Sequence, residues 1–215
     1  MRYSIGIDEV GRGCLAGPVV VCAVRMPREW RPPRGRALRD SKRLTKSTRE
    51  AWFEYVTNHR RISYVLSRIS PAVIDRINIA RAANIAALRA WKRLVTKGLV
   101  TRNQELRHDT KVFLDGGLYL GNGRARLPGE TVVRGDEKIT AVKISSIIAK
   151  VSRDRLMARL ARKFPQYGFE IHKGYGTHAH YAALRAIGAS AAHRKTFIRS
   201  VVFLAGWRAR KRFFK

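Results

Sequence analysis

The chain has 215 residues, 45% of them hydrophobic, and 45 Lys and Arg stand against 15 Asp and Glu for a formal net charge of +30. That length supports one domain with a real core, and the composition excludes an acidic disordered chain, a coiled coil and a collagen-like repeat. A surface so basic repels itself unless a polyanion neutralises it, which makes nucleic acid the leading partner and an anionic membrane surface the second.

In chain order, Tyr3 to Ile7 carries alternating β-type residues and predicts a first strand, ending at Asp8-Glu9 and followed by Gly11-Arg12-Gly13. Val19 to Val24 is continuously apolar and predicts a second, buried strand. Arg25 to Arg39, rich in Pro and Arg, reads as a surface loop, Ser47 to Asn58 as a helix and Arg61 to Ile69 as a strand. Ser70-Pro71 starts a helix. It is expected to run to Thr96 with Val73, Ile77, Ala80, Asn84, Leu88 and Trp91 on one face, stopped by Gly98. Lys111 to Asp115 and Thr131 to Arg134 are short strands. A helix follows, with Ile144, Ile148 and Val151 on one face, ended by Phe164-Pro165. Tyr167 to Thr177 reads as a Gly- and His-rich loop, Thr177 to Ile187 as a helix, and Trp207 to Lys215 as a basic aromatic tail. Strands and helices alternate out of strict βα order and the opening strands look hairpin-connected, so a mixed sheet carrying helices is expected.

Cys14 and Cys22 are the only cysteines. Two cannot build a disulfide framework or a four-cysteine zinc site, and they read as reduced core residues. The longest uncharged apolar run, Gly13 to Val24, falls well short of the roughly 20 residues of a membrane span. The first residues carry two carboxylates by position 9 and lack the apolar core of a signal peptide, so a cytoplasmic protein is expected.

Asp8 and Glu9 close an apolar strand in a chain with few acids. Two readings stand: a divalent-metal site, since hard cations take carboxylate oxygens, or exposed turn residues paired with Arg. Neighbouring strand residues point to opposite faces, so both carboxylates are expected to reach one site only if the strand ends near Glu9 and the glycine turn redirects the chain. Gly11 to Ala16 also matches the dinucleotide fingerprint, but a strand pattern containing Pro18 follows where a phosphate-binding helix should run. Arg12 is then a candidate phosphate contact. Asp115 repeats the logic of an apolar strand ending in a carboxylate, before Gly116-Gly117. Asp136, just ahead of a helix, reads locally as an N-cap, and Asp154 as an intrahelical partner of Lys150. His172, His178 and His180 have no Cys or carboxylate partner at zinc-ligand spacing and read as phosphate contacts or exposed residues. Tyr175, between two glycines, is a packing plug or a stacking platform.

Taken together, these segments resemble the type 2 ribonucleases H (ribonuclease HII). The similarity runs through IGIDEVGRGCLAGPVV from Ile5, DSKRLT from Asp40, INIARAAN from Ile77 and FLDGG from Phe113. It continues through RGDEK from Arg134, ISSIIAKVSRD from Ile144, HKGYGTHAH from His172 and HRKTF from His193. The resemblance implies an α/β, ribonuclease H-like mixed sheet flanked by helices, with a helical C-terminal extension. It divides the chain into a catalytic domain over 1–165 and a substrate-contacting helical segment with a basic tail over 166–215. It implies endonucleolytic hydrolysis of the RNA strand of RNA–DNA hybrids and cutting at single ribonucleotides in duplex DNA, leaving 5′-phosphate and 3′-hydroxyl ends. Asp8, Glu9, Asp115 and Asp136 would hold two divalent cations, Mg²⁺ or Mn²⁺, with Asp136 able both to cap and to bind. Gly11, Arg12 and Gly13 would meet the ribonucleotide 2′-OH, Tyr175 would pack on the adjoining deoxyribose, and Ser41 and Lys42 would contact substrate. A monomer is expected.

Three departures from the family pattern stand out: Gly117 where Asn is usual, Arg134 where Lys is usual, and ISSI where the long helix usually reads SAAS. Two rivals remain at this level. One is a non-catalytic basic nucleic-acid-binding protein, the other a junction-resolving DNA nuclease on the same fold.

Overall fold

The computed structural model describes residues 2–35, 37–96, 110–121 and 129–200. Strands β1 (Tyr3–Val10) and β2 (Val19–Pro27) form an antiparallel pair, with Ile7 opposite Ala23 and Asp8 opposite Cys22. β3 (Ser63–Ile69) adds antiparallel to β2. β4 (Thr110–Asp115) lies parallel to β1, and β5 (Glu130–Val132) parallel to β4. The sheet order is β3-β2-β1-β4-β5, the mixed sheet expected. β2 reads as a continuous apolar run because both of its faces are covered. Val19, Val21 and Ala23 enter one core cluster, while Cys22, Val24 and Met26 enter another on the opposite face. Both cysteines are free and buried, as the composition suggested.

α1 (Lys46–Thr57) starts where the Thr45 hydroxyl accepts the Thr48 N–H, and it buries Trp52 and Val56. The single helix expected from Ser70 to Thr96 is two: α2 (Pro71–Ile77) and α3 (Ile79–Thr96). Asn78 between them takes a left-handed φ of 64°, and its side-chain oxygen accepts the Arg81 N–H at 2.9 Å, capping the second helix. The buried face of α3 is Ala82, Ala83, Ala86, Ala87, Ala90 and Leu94 with Asn84, whereas Ala80 is exposed and Leu88 and Trp91 are half-buried. Small side chains let the helix lie close on β2 and β3, so alanines form the contact and the larger residues rim it. The expected stop at Gly98 and the tail from Trp207 lie outside the described residues.

A short turn of helix, α4 (Gly135–Lys138), leads into α5 (Thr140–Lys163), which crosses the opposite face of the sheet. Gly6 makes that docking possible: a Cβ there would stand 2.1 Å from the Ala141 carbonyl carbon. Ile144, Ile148 and Val151 are buried, as their spacing predicted, and Pro165 follows the helix end. The stretch read as loop from Tyr167 contains a helical turn, α6 (Phe169–His172), before α7 (His178–Ile187). A third core cluster joins Leu15 and Ala16 to Met157, Tyr167, Phe169 and Leu184, tying the segment after α5 to the chain just past β1.

Candidate active site

β1 keeps its β2 partner as far as Val10, but its pairing with β4 stops at Ile7 opposite Leu114. Asp8 and Glu9 therefore sit where one flank of the strand is open, beside the end of β4 at Asp115. The strand ends at Val10, one residue past Glu9, as the condition set by alternation requires. Carboxylate oxygens of Asp8, Glu9 and Asp115 lie within 4.8 Å of one another. The open flank gives the longer Glu9 side chain room to turn toward the other two.

Asp8 is buried, which disposes of the exposed-turn reading for it. Its oxygen accepts the Glu9 N–H at 2.7 Å, and the Ser146 hydroxyl bonds it as well. Burial first, then Glu9 and Asp115, pushes its pKa well above the usual carboxylate range. Burial also raises Glu9, against the pull of Arg12, whose Nη1 lies 3.2 Å from Glu9 Oε1. Glu9 Oε2 is buried with no hydrogen-bond partner. Three crowded carboxylates, two of them strained toward protonation and one holding an orphaned oxygen, suit a hard cation bound through oxygens.

Asp115 Oδ1 accepts the N–H groups of Gly135 (2.8 Å) and Asp136 (3.4 Å), so it ties β4 to the start of α4. Asp136 is not the cap of that turn. The N-cap is Arg134, at a left-handed φ of 57°, and Asp136 lies inside the helix. Its carboxylate is buried and meets Lys42 Nζ at 3.3 Å. It stands on the same cleft as the other three but outside their cluster of oxygens.

The ten residues to which the resemblance gives a site role all line this one cleft of about 270 Å³: Asp8, Glu9, Gly11, Arg12, Gly13, Ser41, Lys42, Asp115, Asp136 and Tyr175. Val10, Ser146 and Lys150 complete its lining. Ser41 is buried, and its hydroxyl lies 2.9 Å from that of Ser146, which in turn bonds Asp8. The serine of the ISSI departure thus supports a carboxylate. Gly117, a second of the three departures, has φ +90°. A Cβ there would come within 2.9 Å of Arg12 Nη1, and that same group donates to the Gly117 carbonyl at 3.3 Å. Tyr175 is 40% exposed, with Lys150 Nζ and the Arg153 guanidinium each just under 6 Å from its ring centre.

Two arginines that neither periodicity nor spacing singles out build the wall between Gly11 and Pro18. Arg153, fully buried, donates to the carbonyls of Pro18 (3.1 Å), Ala16 (3.0 Å) and Lys173 (2.8 Å). Arg194, also fully buried, donates to Gly17 (3.0 Å), Arg12 (2.8 Å) and Gly11 (2.6 Å). Burial lowers its pKa to about 10. Their only sequence signal is a place inside AKVSRD and HRKTF. The two glycines of the turn differ. A Cβ on Gly11, where φ is +86°, would fall 2.2 Å from Arg153 Nε, whereas one on Gly13 meets nothing within 4 Å. Asp154 pairs with Lys150 at 2.8 Å, as read. Exposure holds for His178 alone: His172 and His180 are buried and stacked 4.2 Å apart.

A protein-family model described as ribonuclease HII matches residues 5–200. Ribonuclease HII 1 of Methylibium petroleiphilum is 42% identical over 200 residues, covering 92% of this chain and 90% of that protein. Among solved structures, the ribonuclease H2 of Pyrococcus horikoshii superposes with a TM-score of 0.69 at 22% identity, covering 94% of this chain and 98% of its own. Bst-RNase HIII in complex with Mn²⁺ superposes at 0.68 with 16% identity, covering 95% and 70%. The fold is shared with both, and the sequence match spans the carboxylates, the arginine-held turn and the Tyr175 segment alike: the chain belongs to the ribonuclease HII family and is an endoribonuclease.

Proposed function

We propose that this cleft hydrolyses the RNA strand of RNA–DNA hybrids and cuts at single ribonucleotides embedded in duplex DNA, leaving 5′-phosphate and 3′-hydroxyl ends. The observation that carries the reading is the convergence of Asp8, Glu9 and Asp115 within 4.8 Å at the end of the sheet, in a cleft whose lining also includes the cations Arg12, Lys42 and Lys150. A non-catalytic binding protein has no use for three crowded carboxylates that repel a phosphate backbone. Asp8, Glu9, Asp115 and Asp136 would hold two divalent cations, Mg²⁺ or Mn²⁺, which when bound make a coordinated water more acidic and offset phosphate charge.

The chain's own groups supply the rest. Lys42, Lys150 and Arg12 bind backbone phosphates and fix the register of the strand. The 2′-OH is the handle that distinguishes ribose from deoxyribose, and the backbone at Gly13, open toward the cleft, reaches it without a side chain in the way. Gly11 holds its carbonyl in place through Arg194. Tyr175 packs its ring on the next sugar, where a second 2′-OH would intrude. The segment after residue 165 thus serves the site by delivering Tyr175, and the chain acts as a monomer in the cytoplasm.

The test is a DNA duplex carrying one ribonucleotide, incubated with Mg²⁺ or Mn²⁺ and with a chelator. A metal-dependent cut beside the ribonucleotide is expected, with an all-DNA duplex left whole. Cutting of a long hybrid but not of the lone ribonucleotide would remove the excision reading alone. Cleavage of neither would return the chain to the binding-protein reading, and cutting of a branched all-DNA junction would favour the junction nuclease.

A further inference from the structure

Behind Tyr175, three imidazoles are buried together: His172, His180 and His193. Phe169 stands edge-on to His172 and His180, and Tyr167 lies 4.7 Å from the His193 ring. Their hydrogen bonds determine where each proton sits. His180 Nδ1 lies 2.9 Å from the Tyr175 carbonyl. A carbonyl only accepts, so His180 Nδ1 carries hydrogen and its Nε2, in the neutral ring, accepts. That Nε2 is 3.0 Å from His193 Nε2, so His193 Nε2 carries hydrogen and its Nδ1 accepts. At the far end, His193 Nδ1 meets the Ser190 N–H at 3.0 Å and the Ser190 hydroxyl at 2.9 Å. The two ends of the chain, a carbonyl and an amide, independently demand the same pair of tautomers.

The direction is therefore fixed: Ser190 donates to His193, His193 to His180, and His180 to the main chain of Tyr175. His172 completes the clamp. Its Nδ1 accepts the Gly174 N–H at 3.1 Å, and its Nε2 donates to the Tyr167 carbonyl at 2.6 Å. The same turn reaches the opposite wall, since the Gly174 carbonyl accepts the Leu15 N–H at 2.8 Å. His193 itself sits between Ala192, whose carbonyl accepts the Gly17 N–H, and Arg194, which holds Gly11 and Arg12.

We propose that His193 and His180 form a one-way hydrogen-bonded relay that positions Tyr175 for recognition of a lone ribonucleotide, and that the relay holds only while both rings are neutral. The functional half rests on the role given to Tyr175 above; the relay itself does not. A proton on His193 would set an Nδ1–H against the Ser190 N–H, and one on His180 would set two Nε2–H groups against each other. The titratable groups packed on the pair are His172 from α6 and Tyr167 from the turn after α5, and the Arg194 guanidinium beside it is turned to backbone carbonyls. Burial, then the neighbouring His180, holds His193 down at about 4, and burial lowers His180 too, which fits a neutral pair.

Long-range ¹H–¹⁵N correlation of the histidine side chains in the full chain reads the tautomers directly. At neutral pH the expected result is hydrogen on Nε2 of His193 and on Nδ1 of His180, with His193 still neutral at about pH 5.5, a unit below the ordinary imidazole value. The opposite tautomer at either ring, or a His193 that titrates near its ordinary value, overturns the relay whatever the protein cleaves. For function, His193→Leu is expected to raise KM for the lone-ribonucleotide duplex about fivefold, the weight of one net hydrogen bond, with kcat on a long hybrid unchanged. His193→Gln, which keeps a donor toward His180, is expected to restore most of that. The double variant His193→Leu/Tyr175→Ala is expected to lose no more than Tyr175→Ala alone; losses that multiply would show that His193 does not act through Tyr175. If the wild-type chain cuts no lone ribonucleotide, the proposed function has failed, and the tautomers still decide the relay.

Discussion

Gly11 and Gly13 are two residues apart and are glycine for different reasons. Gly11 gives up its side chain to Arg153 and takes a positive φ, so its replacement strikes at the fold. For Gly11→Ala we expect a left-handed backbone penalty of about 1–2 kcal/mol and displacement of a buried guanidinium. Together these should lower the thermal midpoint by at least about 5 °C in a chain of this size. Gly13→Ala is expected to leave the midpoint in place and to slow cutting at a lone ribonucleotide about tenfold, equivalent to about 1.4 kcal/mol of barrier. Equal midpoints for the two variants would contradict the assignment of Arg153 as the reason for Gly11. Asp8 behaves in the opposite sense. Its folded pKa lies above its unfolded one, so in chelator it favours the fold at low pH and opposes it as pH rises through the folded value. Asp8→Asn removes that opposition while keeping an acceptor for the Glu9 N–H. We expect cleavage to vanish, duplex binding to persist, and the midpoint in chelator at neutral pH to rise by about 2–4 °C, the shift that about 1 kcal/mol produces. A lower midpoint would mean that Asp8 is stabilised by partners other than a cation.

Ser146, Lys150 and Arg153 recur at four- and three-residue steps along α5, so one stripe of that helix faces the site. Successive turns give a hydroxyl to Asp8, an ammonium to the cleft and a guanidinium to the wall beyond Gly11. Arg153→Lys keeps the charge but loses the planar fork that spans three carbonyls. Each abandoned charge-assisted bond is worth about 1.5–3 kcal/mol, so calorimetry should show a midpoint several degrees lower, and a tolerated Lys would contradict the carbonyl-cage description. The α6–α7 unit with His193 adds an acid-sensitive component. Its imidazole pKa is depressed in the fold, so its contribution is complete above the unfolded value of 6.5 and is lost as pH falls toward about 4. The stability gap between wild type and His193→Leu is therefore expected to narrow across that window in urea titrations. A gap that stays constant would mean that His193 is not held neutral by burial.

At the level of the molecule, a chain of net charge +30 carries a cleft in which three carboxylates crowd together. On the proposed function, the basic surface attracts any duplex, while the carboxylates select for chemistry at one phosphate. If six phosphates are neutralised, duplex affinity should fall about 10³-fold between 50 and 200 mM salt; a flat response in a binding titration would separate the charge from substrate contact. The sequence by itself determined the mixed sheet and most element positions and marked Asp8, Glu9 and Asp115 as candidates, because alternation and strand-terminal acids are local patterns. Resemblance to a family added the role of Asp136, whose local reading was a cap, and chose for Tyr175 between a packing plug and a stacking platform. Tertiary structure alone decided the break at Asn78, where a left-handed residue interrupts an otherwise helical period. It alone placed Arg153, Arg194, His172, His180 and His193 inside the protein. In one dimension a charged or polar side chain counts as surface. Burying it requires partners that satisfy it, and those partners lie far off in the chain, as Gly11 does from Arg194, 183 residues away. No window of sequence contains both ends of such a bond.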